Sequence, residues 1–381
     1  MAVAVVTRTI KSLACLSGLL LTTWSQAAIL PEDRADLLFH SYEGGGVEIT
    51  GPSLLVRKQI GDSFSVSGNY YIDSITSASI DVIATASPYT EERTEKSVSL
   101  DYLRDKVTLS AAYTDSGEND FQAKSLHLGV SQELFAGMTT VSLGYSRGWD
   151  DVGMLGSSEF TPTDRHNYRL GVSQVLTKDL IMEIGLETIT DEGELLNNPY
   201  RQVRYLTSAT TFDYQSEVYP NTRTSNAVAL RANYYLPYRA ALHGEYRFYT
   251  DTWGINANTL ELGYTHPLKD KWVLDFKIRG YKQNAADFYS DLFPFISAQN
   301  FLARDKELST FSSLTLGAGV SYEFGKGGWG FIDKGSMNFS INHIQFEYDD
   351  FRNVLVGGAP GTEPLYSFDA DVIQFFISLW Y

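Results

Sequence analysis

Cysteine is almost missing from this chain: the single one is Cys15. It falls within the first 27 residues, which read as a removable leader, so the expected mature protein carries no thiol. Disulfides, a thiolate metal site and a cysteine nucleophile are thereby excluded. Long apolar runs are missing as well. Beyond residue 27 nothing approaches the ~18 apolar residues in a row that a membrane helix needs, although 43% of the chain is apolar. Positive charge is scarce, with 30 Lys and Arg against 46 Asp and Glu. A surface of that sign repels phosphate backbones, and nucleic acid is excluded as a partner.

The first 27 residues have the three parts of a secretory signal. Arg8 and Lys11 form a short positive region. Ser12 to Thr23 follow, with Leu13, Leu16, Leu19, Leu20 and Leu21 making an apolar stretch too short to span a bilayer. Ser25 and Ala27 stand at the −3 and −1 positions of a small-residue cleavage site. Cleavage is expected after Ala27, leaving residues 28–381 as one domain. A lipoprotein would place leucine three residues before its cysteine, where Ser12 stands, so lipidation is not expected. The mature chain then holds 28 basic against 46 acidic residues.

What is abundant is alternation. Segment after segment switches between apolar and small or polar residues for about eight to eleven positions and then breaks at a turn. Leu126, Leu128 and Val130 oppose Ser125, His127, Gly129 and Ser131. Tyr168, Leu170 and Val172 oppose Arg169, Gly171 and Ser173, and Trp272, Leu274, Phe276 and Ile278 oppose Asp275, Lys277 and Arg279. About fifteen such segments follow one another with no convincing amphipathic helix between them. Only a closed sheet satisfies every backbone group in hydrocarbon. The expected fold is all-β: a closed antiparallel transmembrane β-barrel of about sixteen strands, or fourteen if the 34–59 hairpin stays outside.

Connections alternate short and long. The short ones centre on Gly61-Asp62, Asp105-Lys106, Ala136-Gly137, Lys178-Asp179, Tyr238-Arg239, Asp270-Lys271 and the glycine-rich 325–335. The long ones span 73–95, 115–122, 148–165, 190–224, 251–256, 282–309 and 349–366. Outer-membrane barrels have short periplasmic turns and longer external loops, which sets the expected orientation. Tyr70, Tyr113, Tyr145, Tyr246 and Tyr281 at one end, with Tyr102, Tyr234, Tyr264, Trp272 and Trp380 at the other, would form two interfacial girdles. The last strand carries Ile373, Phe375, Ile377, Leu379 and Tyr381 on one face and ends in an aromatic carboxylate. This resembles the carboxy-terminal signal read by the bacterial barrel-assembly machinery, which is an expected partner alongside outer-membrane lipid and lipopolysaccharide. The motif Leu-Gly-Val-Ser-Gln occurs at 128–132 and again at 170–174, a spacing of two hairpins, and carries no functional reading.

Three stretches carry a family resemblance: Leu30-Pro31-Glu32-Asp33-Arg34-Ala35-Asp36, Tyr42-Glu43-Gly44-Gly45-Gly46, and Ser77 to Arg93. They resemble a family of proteobacterial outer-membrane barrels catalogued only as a domain of unknown function, over nearly the whole mature chain. The resemblance implies no catalytic residues. Through neighbouring genes, among them a flavin transferase and a small lipoprotein, it implies an envelope redox setting with a periplasmic lipoprotein or redox partner.

The inward positions divide the barrel. Those of the first half are small: Ser65, Ser67, Ser97, Ser99, Ser110, Ser142 and Gly144. Those of four consecutive strands in the second half are charged: Arg231, His243, Glu245, Arg247, Glu261, Asp275, Lys277 and Arg279. Two readings stand. The patch is either a lattice of ion pairs stiffening the wall or a polar path whose constriction sorts ions or small solutes. Residues 287–302, rich in Phe and Leu, form an apolar loop that either folds inward as a constriction or packs over the rim. The six histidines show no metal-ligand spacing, and no Ser/His/Asp arrangement assembles; His243 beside Glu245 and Arg247 is the nearest approach. The acidic tips 115–120 and Asp349-Asp350 could hold calcium, but the first lacks the full spacing of a calcium loop and reads better as a solvated tip. No cofactor or metal is expected. The expected function is a porin-like pore for small solutes or ions in the Gram-negative outer membrane. The alternative is a non-conducting scaffold for an envelope redox system, and an outer-membrane hydrolase or acyltransferase comes third.

Overall fold

The computed structural model describes residues 29–77, 89–153, 160–195, 202–325 and 327–381. The expected leader and its cleavage site after Ala27 lie outside the described residues, as does most of the Ser77–Arg93 stretch. Eighteen strands are present in the described residues: β1 (Arg34–Gly44), β2 (Val47–Ile60), β3 (Phe64–Ser77), β4 (Tyr89–Arg104), β5 (Val107–Gly117), β6 (Phe121–Leu134), β7 (Thr139–Gly153), β8 (Phe160–Thr177), β9 (Leu180–Gly193), β10 (Gln202–Ser208), β11 (Thr211–Ser216), β12 (Thr222–Tyr235), β13 (Ala241–Asp251), β14 (Asn256–Leu268), β15 (Trp272–Gln283), β16 (Phe311–Phe324), β17 (Lys334–Arg352) and β18 (Leu365–Trp380).

Sixteen of them close into one antiparallel barrel, each paired with its sequence neighbour, β9 passing directly to β12 and β18 returning to β1. The remaining two, β10 and β11, make a separate hairpin inside the loop between β9 and β12. Sixteen strands were expected in the wall; the extra hairpin was not. The 34–59 hairpin is part of the wall, closed by β1 against β18 with Leu37 opposite Ile377 and Phe39 opposite Phe375.

Side-chain parity holds around the whole circuit, because an unbroken antiparallel register carries one face from strand to strand. Following the pairs from Glu187 through Ala227 to Tyr249 keeps to the inner face. The outer face is a continuous apolar belt in which Leu54, Val98, Leu128, Leu186, Leu260 and Leu316 are all exposed. Such a band would be an aggregation hazard in water and is what a bilayer solvates. The Gly45-Gly46 turn joining β1 to β2 has positive φ at both positions, 58° and 79°, the geometry of a two-residue hairpin turn that glycine adopts without strain.

Turns at one end are short, and every short connection expected from sequence is there. At the other end the strands run further than expected. The stretch 73–95 was expected as loop, yet β3 continues to Ser77 and β4 begins at Tyr89. These ends rise above the belt, where outward positions such as Glu92, Thr94 and Lys96 are polar, so the lipid pattern that marks a strand in sequence has stopped. Two girdle assignments are corrected by parity. Tyr281 shares the inner face with Arg279, donating to Gln283 Oε1 at 2.6 Å. Trp380 shares it with Lys334 and Arg34, whose cationic groups lie 4.8 and 5.7 Å from its ring. The other eight aromatics keep outward parity.

Candidate functional site

The charged patch is a set of rows across the inner wall. Register aligns Glu183, Arg231, Glu245, Glu261 and Arg279 on five adjacent strands, β9 and β12 to β15. Arg231 binds both its acidic neighbours, Nη1 donating to Glu183 at 2.8 Å and Nε to Glu245 at 2.5 Å. Arg247 reaches Glu187 at 3.3 Å, and Glu187 also accepts from Arg169 at 2.9 Å. His243 sits between Asn233 Oδ1 and Thr265 Oγ1, each at 2.8 Å, and Thr265 donates onward to Asp275 at 2.5 Å. The expected neighbourhood of His243 with Glu245 is therefore a shared face, with Glu245 engaged by Arg231. Glu261, Lys277 and Arg279 have no ion-pair partner within 4.0 Å among the described residues. Gly317, directly opposite Lys277, makes room for that side chain: a Cβ there would lie 2.7 Å from Lys277 Cγ.

All eight charged residues expected at the wall face inward together, and the wall extends beyond them. Arg165 with Asp191 at 2.5 Å, Arg169 with Glu187, and Arg223 with Asp251 at 2.6 Å continue the lattice across β8, β9, β12 and β13. The same alternation that exposed the second-half patch, carried back along 163–173 and 181–191, would have found the first two pairs. The lattice is wet. Arg169 is 53% exposed, and Arg231 and Glu183 are each 24% exposed. In a filled barrel interior these values would approach zero.

The first-half wall is small where expected, with the Ser67 and Ser99 hydroxyls 2.6 Å apart. At its long-loop end it carries a charged cluster that the loop reading of 73–95 hid. Asp73 lies 2.9 Å from His40 Nε2, and Arg93 donates to Glu95 at 2.6 Å and to Ser116 Oγ at 3.0 Å.

Three long loops fold together over the mouth. Arg204, fully buried, donates to Glu363 at 2.6 Å and to Asp291 at 2.7 Å. Arg304 also holds Asp291, donates to the Arg352 carbonyl at 3.0 Å, and lies 4.3 Å above the Phe351 ring. Backbone bonds add Leu206 N–H to Phe293 O and a reciprocal pair between Val218 and Leu302. Beneath them Val203, Phe293 and Leu302 make one apolar cluster, and Leu195, Trp253, Ile255, Phe288 and Leu308 another. The apolar segment 287–302 thus packs against other loops, and the chain after it turns inward. Inward-facing Gln283 donates to the carbonyls of Glu307 and Ser309 at 2.9 and 2.8 Å.

The closing strand seats the carboxy-terminal motif. Ile373 and Phe375 are exposed on the outer belt. Ile377 and Leu379 share that face opposite Leu37 and Ala35 of β1. Tyr381 Oη donates to the Arg57 carbonyl at 3.0 Å.

Residues 159–331 match the model of a family described as "Protein of unknown function (DUF3570)". The chain is a closed antiparallel β-barrel of which a little less than half matches this family model. The matched stretch holds the whole charged patch but none of the three amino-terminal stretches on which the family resemblance rests. No curated protein matches the chain. Among solved structures, a "Bacterial polysaccharide outer membrane secretin" is 8% identical over 92% of this chain and 100% of its own, with a TM-score of 0.50. Outer-membrane expressed OmpT of Vibrio cholerae is 11% identical, over 93% of this chain and 100% of that one, with a TM-score of 0.43. The siderophore receptor PirA from Acinetobacter baumannii is 10% identical, over 92% of this chain and 60% of that one, also at 0.43. At these identities the chain shares a fold with the secretin and nothing finer.

Proposed function

We propose that this barrel is an integral outer-membrane pore for ions or small polar solutes, with its short turns in the periplasm and its mouth narrowed by the three folded loops. The observation that carries the reading is the partly exposed charged wall. Charges facing a sheet interior that is sealed from lipid, yet still reached by water, have the form of a polar path. Within it the two roles separate by residue. Arg231 is locked between Glu183 and Glu245 and stiffens the wall. Glu261, Lys277 and Arg279, without an ion-pair partner among the described residues, are the charges a passing solute meets. A barrel of sixteen strands is wide enough for water unless loops fill it, and here the loops are gathered at one end.

The same loops favour a second reading, a closed barrel that serves as a scaffold for periplasmic or surface partners. Purified protein in a planar bilayer separates the two. The pore reading expects discrete conductance steps from folded protein. Protein that inserts, shows the heat-modifiable gel shift of a folded barrel and passes no current at any voltage would retire it in favour of the scaffold.

A further inference from the structure

The long-loop rim of the first-half wall, at the same end as the loop cap, holds a cluster of carboxylates that the pore reading does not use. Glu91 faces inward near the start of β4, while Glu118 and Asp120 lie in the turn between β5 and β6. One carboxylate oxygen from each lies within 4.8 Å of the others. All three are withdrawn from water: Glu91 is 6% exposed, Asp120 3%, and the Glu118 side chain 4%.

Acidic residues crowd together on many surfaces without a ligand, so further observations decide the matter. Glu118 Oε2 and Asp120 Oδ1 are buried with no hydrogen-bond partner. Buried carboxylate oxygens are ordinarily satisfied, because leaving one bare forfeits its hydration with nothing in return. Local cations do not supply the missing partner either. Arg93 is the guanidinium at hand: its Nη2 donates to Glu95 at 2.6 Å and its Nε to Ser116 at 3.0 Å, its Nη1 makes no hydrogen bond and lies toward Asp73, and it comes no closer to Glu118 than 3.7 Å. Among the described residues no basic side chain lies within 4.0 Å of Glu91 or Asp120. Asp73, fully buried and 3.8 Å from Arg93, adds a further carboxylate to the same surroundings.

The scaffold around the cluster is fixed. The Asn119 N–H donates to Glu91 Oε1 at 3.0 Å, and the Asp120 carbonyl accepts from Gly153 N–H at 2.8 Å. The turn is therefore tied both to β4 and to β7, and the carboxylates are held together despite their repulsion.

We propose that Glu91, Glu118 and Asp120 form a binding site for a hard divalent cation, calcium by preference, that clamps the β5–β6 turn to β4 at the barrel rim. The donor set is entirely oxygen, which excludes thiophilic and imidazole-seeking metals. Oxygens that coordinate calcium at ~2.4 Å lie at most ~4.8 Å apart across the ion, and the cluster has that spread. Magnesium demands near-ideal octahedral geometry and sheds water reluctantly, so it fits a tight all-protein clamp less well. The site is carried by one side chain of β4 and two of the β5–β6 turn, which is why no contiguous calcium-loop spacing marks it.

The test uses the folded, full-length barrel stripped with chelator and titrated with calcium chloride alone, read by calorimetry and by thermal unfolding. Wild type should bind one calcium per chain saturably, with magnesium at least tenfold weaker, and its unfolding temperature should rise on binding. The isosteric variants Glu118→Gln with Asp120→Asn, and separately Glu91→Gln, should keep the heat-modifiable gel shift. They should lose calcium affinity at least tenfold together with the calcium-dependent thermal shift. The single Glu91→Gln variant keeps an acceptor for Asn119, so it reports on binding even if the double variant folds poorly. Calcium binding that is equally tight in Glu91→Gln, or wild type without saturable binding at millimolar calcium, would overturn the assignment.

Discussion

Neutralising different arginines of one inner wall should give different results, and this separates lattice from path. Arg231 is bonded to Glu183 and Glu245 and is about three-quarters buried, its side chain 24% exposed. Removing one side of a fully buried pair costs ~3–5 kcal/mol, whereas exposed pairs are worth ~0–1. At this intermediate exposure, with two carboxylates left behind, Arg231→Met should cost about 2 kcal/mol. It should lower the denaturant midpoint of the folded barrel and, as the loss of a single wall charge, raise the cation-to-anion ratio only about twofold. Lys277 and Arg279 have no ion-pair partner within 4.0 Å among the described residues, so Lys277→Met with Arg279→Met should barely alter stability and should shift selectivity. A unit charge ~7 Å from the permeation path in a water-like dielectric contributes about 0.6 kcal/mol, reduced by physiological salt to about 0.25. Two such charges change the partitioning of each ion by a factor of about 2.3, in opposite senses for cations and anions. The cation-to-anion permeability ratio should therefore rise about fivefold, measured as the reversal potential across a salt gradient. An unchanged ratio in the double variant, or full stability in Arg231→Met, would refute the division of roles.

The loop cap should open when its buried arginine is removed. Arg204→Ala leaves Glu363 without a cation partner while Asp291 keeps Arg304, so conductance and protease cleavage at the β10–β11 hairpin should both increase. Acid should act the same way. Burial works against the Glu363 charge, but hydrogen bonds from Arg204 and from Gly361 N–H outweigh it and hold the carboxyl below its usual range. A group with a depressed folded value contributes above its unfolded pKa and is lost as pH falls through the folded one, so opening should set in below about pH 4; a cap that stays closed there in wild type and opens in neither case would refute this account. For topology, a cysteine at Thr210, on the hairpin tip, should react with an impermeant maleimide in intact cells, while one at Asp105 should react only after the outer membrane is breached. The reverse pattern would mean the barrel is inverted. Deleting Tyr381 removes the bond to the Arg57 carbonyl and the terminal aromatic together; pulse-chase should show slower appearance of the heat-modifiable form, and an unchanged rate would argue against the assembly role.

The barrel wall was readable from sequence because it is local information repeated. Period-two alternation says which face each residue takes. Turn chemistry at Gly61, Asp105 and Lys178 says where each strand stops, and the alternation of short and long connections says which end is which. Counting closes the sheet at sixteen, and parity delivers Arg231, Glu245, Glu261 and Arg279 to one face. Where that pattern stops, so did the reading. Above the belt the outward positions of β3 and β4 are polar, even where an inner one such as Ile75 is buried in an apolar cluster, and the strand ends from Asp73 to Ser77 and from Tyr89 to Glu95 passed for loop. Tyr281 and Trp380 were assigned by their position along a strand when parity had already turned them inward. The loop cap and the carboxylate cluster lay out of reach for a different reason. Arg204 meets Glu363 across 159 residues, and Glu91 meets Glu118 and Asp120 across a strand pairing, so neither has a spacing that sequence alone can show. Strand identity is fixed by neighbours two residues apart; which loops meet over the mouth is fixed by the closure of the whole sheet.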